Sequence, residues 1–258
     1  MRLLSYNIRY GGVGREKAIA AVIASCEPDI VILQEATDPD VVRTVASNCG
    51  MKWCGALRGH SVAYLSRVEV AEAKWQRAMW ARRRYLELTL PQPGMRIFGV
   101  HLAAIHSNPS EFRRTLELRA LLRGITAGPA GFHVVTGDFN TLAPGEPLDV
   151  RRLPPRLRAI VWATGRNIRW RTIQMMIDRG YSDGYRLLHP KAEAYTFPTW
   201  DPHVRLDYIF LPRGAGSRLT RCEVVREAPG VREASDHFPL LSELGEAPAQ
   251  GDGPVPLP

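Results

Sequence analysis

The sequence predicts an α/β sandwich, with helices outside and sheets packed inside. Two observations carry that prediction. Short apolar, strand-like runs alternate with helix-period segments through most of the 258 residues. The composition, 45% hydrophobic and 23% charged, is that of an ordinary globular chain long enough to bury a substantial core, and neither an internal repeat nor an inner linker divides it.

Taken in order, "RLLSYNI" reads as a first strand, "EKAIAAVIASC" as a helix and "DIVILQE" as a second, buried strand. The later strand-like runs are "SVAYLSR", "RRYLELTL", "MRIFGVHL", "FHVVTGDFN", "RLDYIFL" and "LTRCEVVRE". Pro109 and Ser110 open a helix whose apolar positions Phe112, Leu116, Leu118, Leu121, Leu122 and Ile125 fall mainly on one face. The tail from about Gly245 is rich in Pro and Gly without periodicity, and disorder is expected there. No apolar run approaches the roughly 20 residues of a membrane span. Asn7 and Arg9 interrupt the apolar N-terminus too early for a signal-peptide core, so a cytoplasmic protein is expected. Cys26, Cys49, Cys54 and Cys222 form no C-x-x-C pair, which predicts free, buried thiols.

Charge is distributed unevenly. The net charge is +8, and residues 151–171 hold seven arginines (Arg151, Arg152, Arg156, Arg158, Arg166, Arg169 and Arg171) and no acid. Without those seven the net charge would be +1. Such a cluster attracts phosphates; the alternative is a solvated face beside acidic groups of the same fold. Trp162 and Trp170 among these arginines suit base stacking or an anionic lipid surface, but Trp170, Ile173, Met176 and Ile177 recur at helical spacing, which favours core packing for Trp170.

Several strands end in polar groups that the strands themselves do not need. They are Asn7, then Gln34 and Glu35, His101, Asp138 with Asn140, Asp207, and Asp236 with His237. Each alone is ordinary turn punctuation. Strand ends in a packed α/β fold converge on one rim, however, and there these groups would make a carboxylate-rich pocket. Oxygen ligands such as Glu35, Asp138 and Asp236 suit a hard divalent ion, Mg²⁺ or Mn²⁺. Asp207 would support His237 as imidazolium, and Asn7 and Asn140 would donate to phosphate oxygens without adding charge. That chemistry is metal-assisted attack on a phosphate ester.

The ordered set "SYNIRY", "LQE", "GVHL", "GDFN", "RLDYIF" and "SDHFPL" resembles the endonuclease/exonuclease/phosphatase superfamily, the DNase I-like proteins, from Met1 to about Leu244. The resemblance implies a four-layer α/β sandwich with two central mixed sheets flanked by helices. It also implies one catalytic domain over residues 1–244, carrying a basic insertion at about 143–180 and followed by the tail 245–258. It implies Glu35 as principal metal ligand with Asn7 beside it and Asp236 assisting. Asp138 would orient or deprotonate the attacking water, and Asn140 would hold the scissile phosphate. His237 would contact the phosphate as base or stabiliser, with Asp207 as its orienting partner. His101 matches the "HL" position of the DNase I, phosphatase and sphingomyelinase branches, whose second glutamate has no evident counterpart: Glu87 is the sole acid in "MWARRRYLELTL".

Among the remaining residues, His106 and the Arg113–Arg114 pair are expected on the surface and His133 in a structural role, while His203 would line the entrance and His60 stays unassigned. The expected activity is a Mg²⁺- or Mn²⁺-dependent phosphodiesterase with DNA as its first candidate substrate, Arg151, Arg152, Arg156 and Arg158 tracking the backbone. The alternatives are a phosphatase or phospholipase-type enzyme on phosphoinositide, sphingomyelin-like or small phosphoester substrates, and a catalytically silent module binding nucleic acid or protein.

Overall fold

Side-chain alternation along the strands sorts the apolar residues into three packed interfaces, and these build the molecule. The computed structural model describes residues 1–77, 84–91, 95–104, 107–146, 148–153, 155–163 and 170–245. The described strands are β1 (Arg2–Asn7), β2 (Ile30–Gln34), β3 (Trp53–Gly55), β4 (Val62–Ser66), β5 (Glu72–Gln76), β6 (Tyr85–Thr89), β7 (Arg96–His101), β8 (His133–Asp138), β9 (Tyr181–Asp183), β10 (Asp207–Pro212), β11 (Leu219–Val224) and β12 (Leu240–Leu244). The helices are α1 (Glu16–Cys26), α2 (Pro39–Asn48), α3 (Asn108–Ala127), α4 (Pro155–Ala163), α5 (Thr172–Asp178), α6 (Gly184–Leu188) and α7 (Val231–Ala234).

The strands form two six-stranded mixed sheets, in the orders β11-β12-β1-β2-β4-β3 and β5-β6-β7-β8-β10-β9. Leu4, Tyr6, Val31 and Leu33 face outward onto α1 and α2, burying Ile19, Ile23, Val42 and Val45. Their neighbours Leu3, Ile30 and Ile32 face inward and meet Leu86, Ile97, Val134 and Ile209 of the second sheet. Phe98, Val135, Tyr208 and Phe210 face the other way, onto Leu118 and Leu122 of α3 and Ile173 and Met176 of α5. The fold is therefore the expected four-layer α/β sandwich.

Two glycines let the layers close. A Cβ on Gly99 would sit 2.6 Å from Ile32 Cγ2, so β7 approaches the first sheet only without a side chain. Gly137 has φ +143°, and a Cβ there would lie 2.0 Å from the Val100 carbonyl oxygen of the paired strand. The glycine of "GDFN" is thus required by backbone approach, and it delivers Asp138 to the sheet end.

The structure revises some expectations. β3 and β5, edge strands of the two sheets, and α2 are additional to the elements read from the sequence. In α3, Leu118, Leu121, Leu122 and Ile125 are buried as expected, but Phe112 is 62% exposed and Leu116 also faces out. The first turns of α3 bury Glu111, Arg114 and Thr115 instead, so Arg114 is no solvated residue. The four cysteines are free, with Cys54 half-buried and the others buried. No described helix is long and apolar enough to cross a membrane. His106, Arg166, Arg169, the side chain of Arg156 and the tail beyond Gly245 lie outside the described residues.

Candidate active site

Register brings the polar strand ends together. Parallel pairing sets His101 opposite Asp138, and antiparallel pairing sets Asp207 opposite the same Asp138. In the other sheet, β1 and β2 run parallel and end together at Asn7 and Gln34. Asn7 joins the sheets, its Nδ2 donating to Asp138 Oδ2 at 3.0 Å.

Asp138 is 1% exposed. Its Oδ1 accepts the Asn140 backbone N–H at 2.8 Å, and its Oδ2 also accepts Asn140 Nδ2 at 2.9 Å. Asn140 takes φ +53°, a left-handed conformation that asparagine tolerates, and its Nδ2 reaches the Leu102 carbonyl as well. His101 Nε2 stands 3.7 Å from Asp138 Oδ2. Burial, reinforced by the facing Asp207, pushes the Asp138 carboxyl up to about 7, although His237 and the donated hydrogen bonds oppose the rise.

His237 is buried, with its Nδ1 2.9 Å from Asp207 Oδ2. Burial alone would lower its pKa, but the Asp207 carboxylate outweighs that cost and holds it up at about 9. The imidazole is therefore the charged, donor form at neutral pH. The Phe197 ring packs against it at 4.8 Å, and Ser235 Oγ accepts its backbone N–H while donating to the Asn7 carbonyl. Thr196 Oγ1 accepts the N–H groups of Leu206 and Asp207, which anchors the start of β10. Asp207 Oδ1 accepts no hydrogen bond among the described residues, leaving one buried acceptor in the site open.

The turn after β1 carries the other half. Arg9, Tyr10, Gly11 and Gly12 all have positive φ, as does Glu35. Hydrogen bonds to its own N–H groups hold this strained run. Asn7 Oδ1 accepts Arg9 N–H, Glu35 Oε2 accepts Tyr10 N–H at 2.6 Å, and the Glu35 carbonyl accepts Gly11 N–H. Asn7 and Glu35, at the ends of β1 and β2, thus grip the same turn. Asp236 meets Arg9 Nε at 3.3 Å, so its carboxylate is engaged by a cation.

Glu111 and Arg114 support the rim from α3. Glu111 Oε1 accepts from the backbone N–H groups of Arg171 and Thr172 and from Thr172 Oγ1; its Oε2 accepts from Thr141 Oγ1 and Arg114 Nε. Arg114 Nη1 donates to the Ala103 carbonyl. The pair therefore ties the loops after β7 and β8 to the end of the basic segment.

Expected residues outside the site are equally informative. Glu87 lies within β6 opposite Phe98 and pairs with Arg96 at 3.1 Å, so it does not serve as a partner for His101. His133 bonds Tyr181 at the other end of β8. Arg151, Arg152 and Arg158 are exposed, and Arg152 reaches Asp201 at 3.6 Å. Trp170 is partly buried as core packing required, but in the small clusters around Leu142 and Leu153 and not with Ile173 and Met176 as its spacing implied, whereas Trp162 is exposed. Glu111, Arg114 and Arg9 escaped the sequence reading; for the first two, the signal was their position seven and four residues ahead of buried Leu118.

A buried histidine–aspartate pair beside a second carboxylate, at the ends of two packed sheets, has the make-up of a proton-transfer site. The chain belongs to the endonuclease/exonuclease/phosphatase family, whose model matches residues 4–237, and whose members hydrolyse phosphoesters. The fold is similar to a 3′ phosphatase from Neisseria bound to product DNA hairpin (19% identity, TM-score 0.74, 95% of this chain and 100% of that one covered). It is also similar to a 3′-5′ exonuclease from Neisseria meningitidis (20%, 0.74, 95% and 100%). An AP endonuclease from Archaeoglobus fulgidus matches it as well (16%, 0.73, 95% and 99%). No curated protein matches the chain.

Proposed function

We propose that the protein is a divalent-metal-dependent phosphodiesterase that cleaves DNA with an activated water. The observation that carries this reading is the Asp138–Asp207–His237 cluster, in which register abuts two carboxylates and one imidazolium inside the protein. Asp138, poised near 7, takes the proton of a water as its oxygen bonds to phosphorus and the bond to the leaving oxygen breaks. His237, kept protonated by Asp207, donates to the phosphate oxygens rather than acting as the base. Asn140 and His101, both beside Asp138 Oδ2, position the phosphate.

Glu35 and Asn7 would hold Mg²⁺ or Mn²⁺, with Asp236 at the edge. No three His, Cys, Asp or Glu side chains gather into a metal cage among the described residues. One carboxylate and one amide oxygen, both bonded to the Arg9–Tyr10 turn, instead fit an ion that keeps several waters. When bound, the ion supplies neutralisation of phosphate charge and stabilises the leaving oxygen. Titration calorimetry with Mn²⁺ tests the ligand assignment apart from turnover: Glu35→Ala should weaken binding, and unchanged affinity rejects Glu35 as ligand.

The functional test is incubation with supercoiled plasmid, with and without Mg²⁺ or Mn²⁺, beside His237→Ala. Metal-dependent nicking lost in the variant is the expected result. Hydrolysis of a generic phosphodiester with cleavage of neither the plasmid nor a single-stranded oligonucleotide would move the substrate to lipid or small phosphoesters.

A further inference from the structure

Two large aromatic side chains stand exposed beside the site, where a folded core does not need them. Tyr10 is 77% exposed and Trp200 64%. They come from opposite halves of the molecule, Tyr10 from the turn after β1 and Trp200 from the segment that leads into β10. Asp236 links them. Its carboxylate meets Arg9 Nε, whose guanidinium lies 5.3 Å from the Tyr10 ring, and its carbonyl accepts the N–H of Thr199 beside Trp200.

Both rings sit on anchored backbone. Tyr10 lies in the left-handed run held by Glu35, and Arg15 adds a bond to the Arg9 carbonyl. Strain of this kind persists where the surroundings impose it, and here it directs a tyrosine into solvent beside a candidate metal ligand. The Trp200 segment is fastened by Arg232 to the Thr199 carbonyl, by Arg152 to Asp201, and by the Trp200 ring against Phe197, itself packed on His237. Exposed aromatic area on a fixed frame costs little entropy to use in binding.

We propose that Tyr10 and Trp200 form a stacking clamp for the unpaired bases of a single-stranded nucleic acid on either side of the phosphate held at His237. This inference rests on the nuclease reading and names the form of its substrate. Arg9 sits beside one ring and half-exposed Arg152, through Asp201, in the segment of the other, the combination of flat rings and cations that tracks a single strand. A duplex offers no free base faces to such rings, because its bases stack on one another.

The test measures binding of the metal-free protein to a fluorescein-labelled short oligothymidylate, to an abasic strand of equal length, and to the same sequence as duplex, by anisotropy. Wild type should prefer the based single strand. Tyr10→Ala and Trp200→Ala should each weaken its binding about tenfold and shrink that preference, while Tyr10→Phe and Trp200→Phe retain it. Equal binding of based and abasic strands by wild type, or alanine variants that bind as wild type does, overturns the clamp even if plasmid nicking succeeds. A clamp that passes this test in a protein that nicks no nucleic acid would overturn the nuclease reading alone.

Discussion

Two buried charge clusters begin two residues apart, at Arg205 and Asp207, and they are built oppositely. Arg205 places Nη1 2.7 Å from Asp183 and Nη2 2.8 Å from Glu146, which Arg186 also reaches, so two cations face two anions. The Arg205 guanidinium further lies 4.3 Å from the Tyr208 ring. Asp207 faces Asp138 across the ladder with His237 as the cation among them, and the Asp138 carboxyl is pushed up to about 7. A balanced cluster holds structure; an unbalanced one stores a proton that can move. Electrostatic frustration within this fold therefore separates the candidate catalytic end from its framework.

The largest break in that contrast is Arg205→Ala. It strands Glu146 and Asp183 partly buried, with an expected loss of about 3–5 kcal/mol, read as a lower denaturant midpoint. A variant that unfolds at the wild-type midpoint would show that the cluster contributes no net support. His237→Ala comes next and should reduce turnover at least about 10²-fold, measured on protein shown to remain folded because the substitution leaves Asp207 buried without its cation. Wild-type turnover in a folded His237→Ala protein would remove the histidine from the chemistry.

A smaller signal is the pH dependence of stability in metal-free protein. His237 is raised from its ordinary 6.5 to about 9, so it contributes stability that is full below 6.5 and lost as pH climbs through 9. Asp138, raised from 3.8 to about 7, acts in the same direction: folding favours its protonated form, and stability declines as pH rises between those values. Denaturant midpoints should thus fall from acid to alkaline pH through these two groups, and His237→Ala should flatten the part above 6.5. A slope unaltered by that substitution would place the linkage elsewhere. The smallest effect belongs to the basic segment. Neutralising Arg151, Arg152, Arg156 and Arg158 should reduce the salt slope of DNA binding by about one for each phosphate left unneutralised, with little change in stability, since the Arg152–Asp201 pair is about half exposed. An unchanged salt slope would leave that segment a solvated face.

Much of the site was legible because each candidate is a polar residue interrupting an apolar run. Asn7, Glu35, His101, Asp138, Asp207 and His237 stand out against Leu, Val, Ile and Phe neighbours, and the two sheets bring their strand ends to one rim. Glu111 and Arg114 were hidden because a charged pair on a helix normally signals solvent. Only the loops of Ala103, Thr141 and Thr172 supply the partners that make burial tolerable. Phe112 misled for the complementary reason, since an apolar residue at a plausible helical position need not face the core.

By itself the sequence determined the local periods, and with them most of the strands and the two long helices α1 and α3. Those properties depend on neighbours a few residues apart, which the chain carries wherever it goes. Only the tertiary structure decided that Asp138 faces Asp207, that Glu87 serves Arg96 instead of His101, and that Tyr10 and Trp200 share a rim. Coulomb interaction and desolvation depend on distance through space, and register and packing set those distances between segments far apart in the chain.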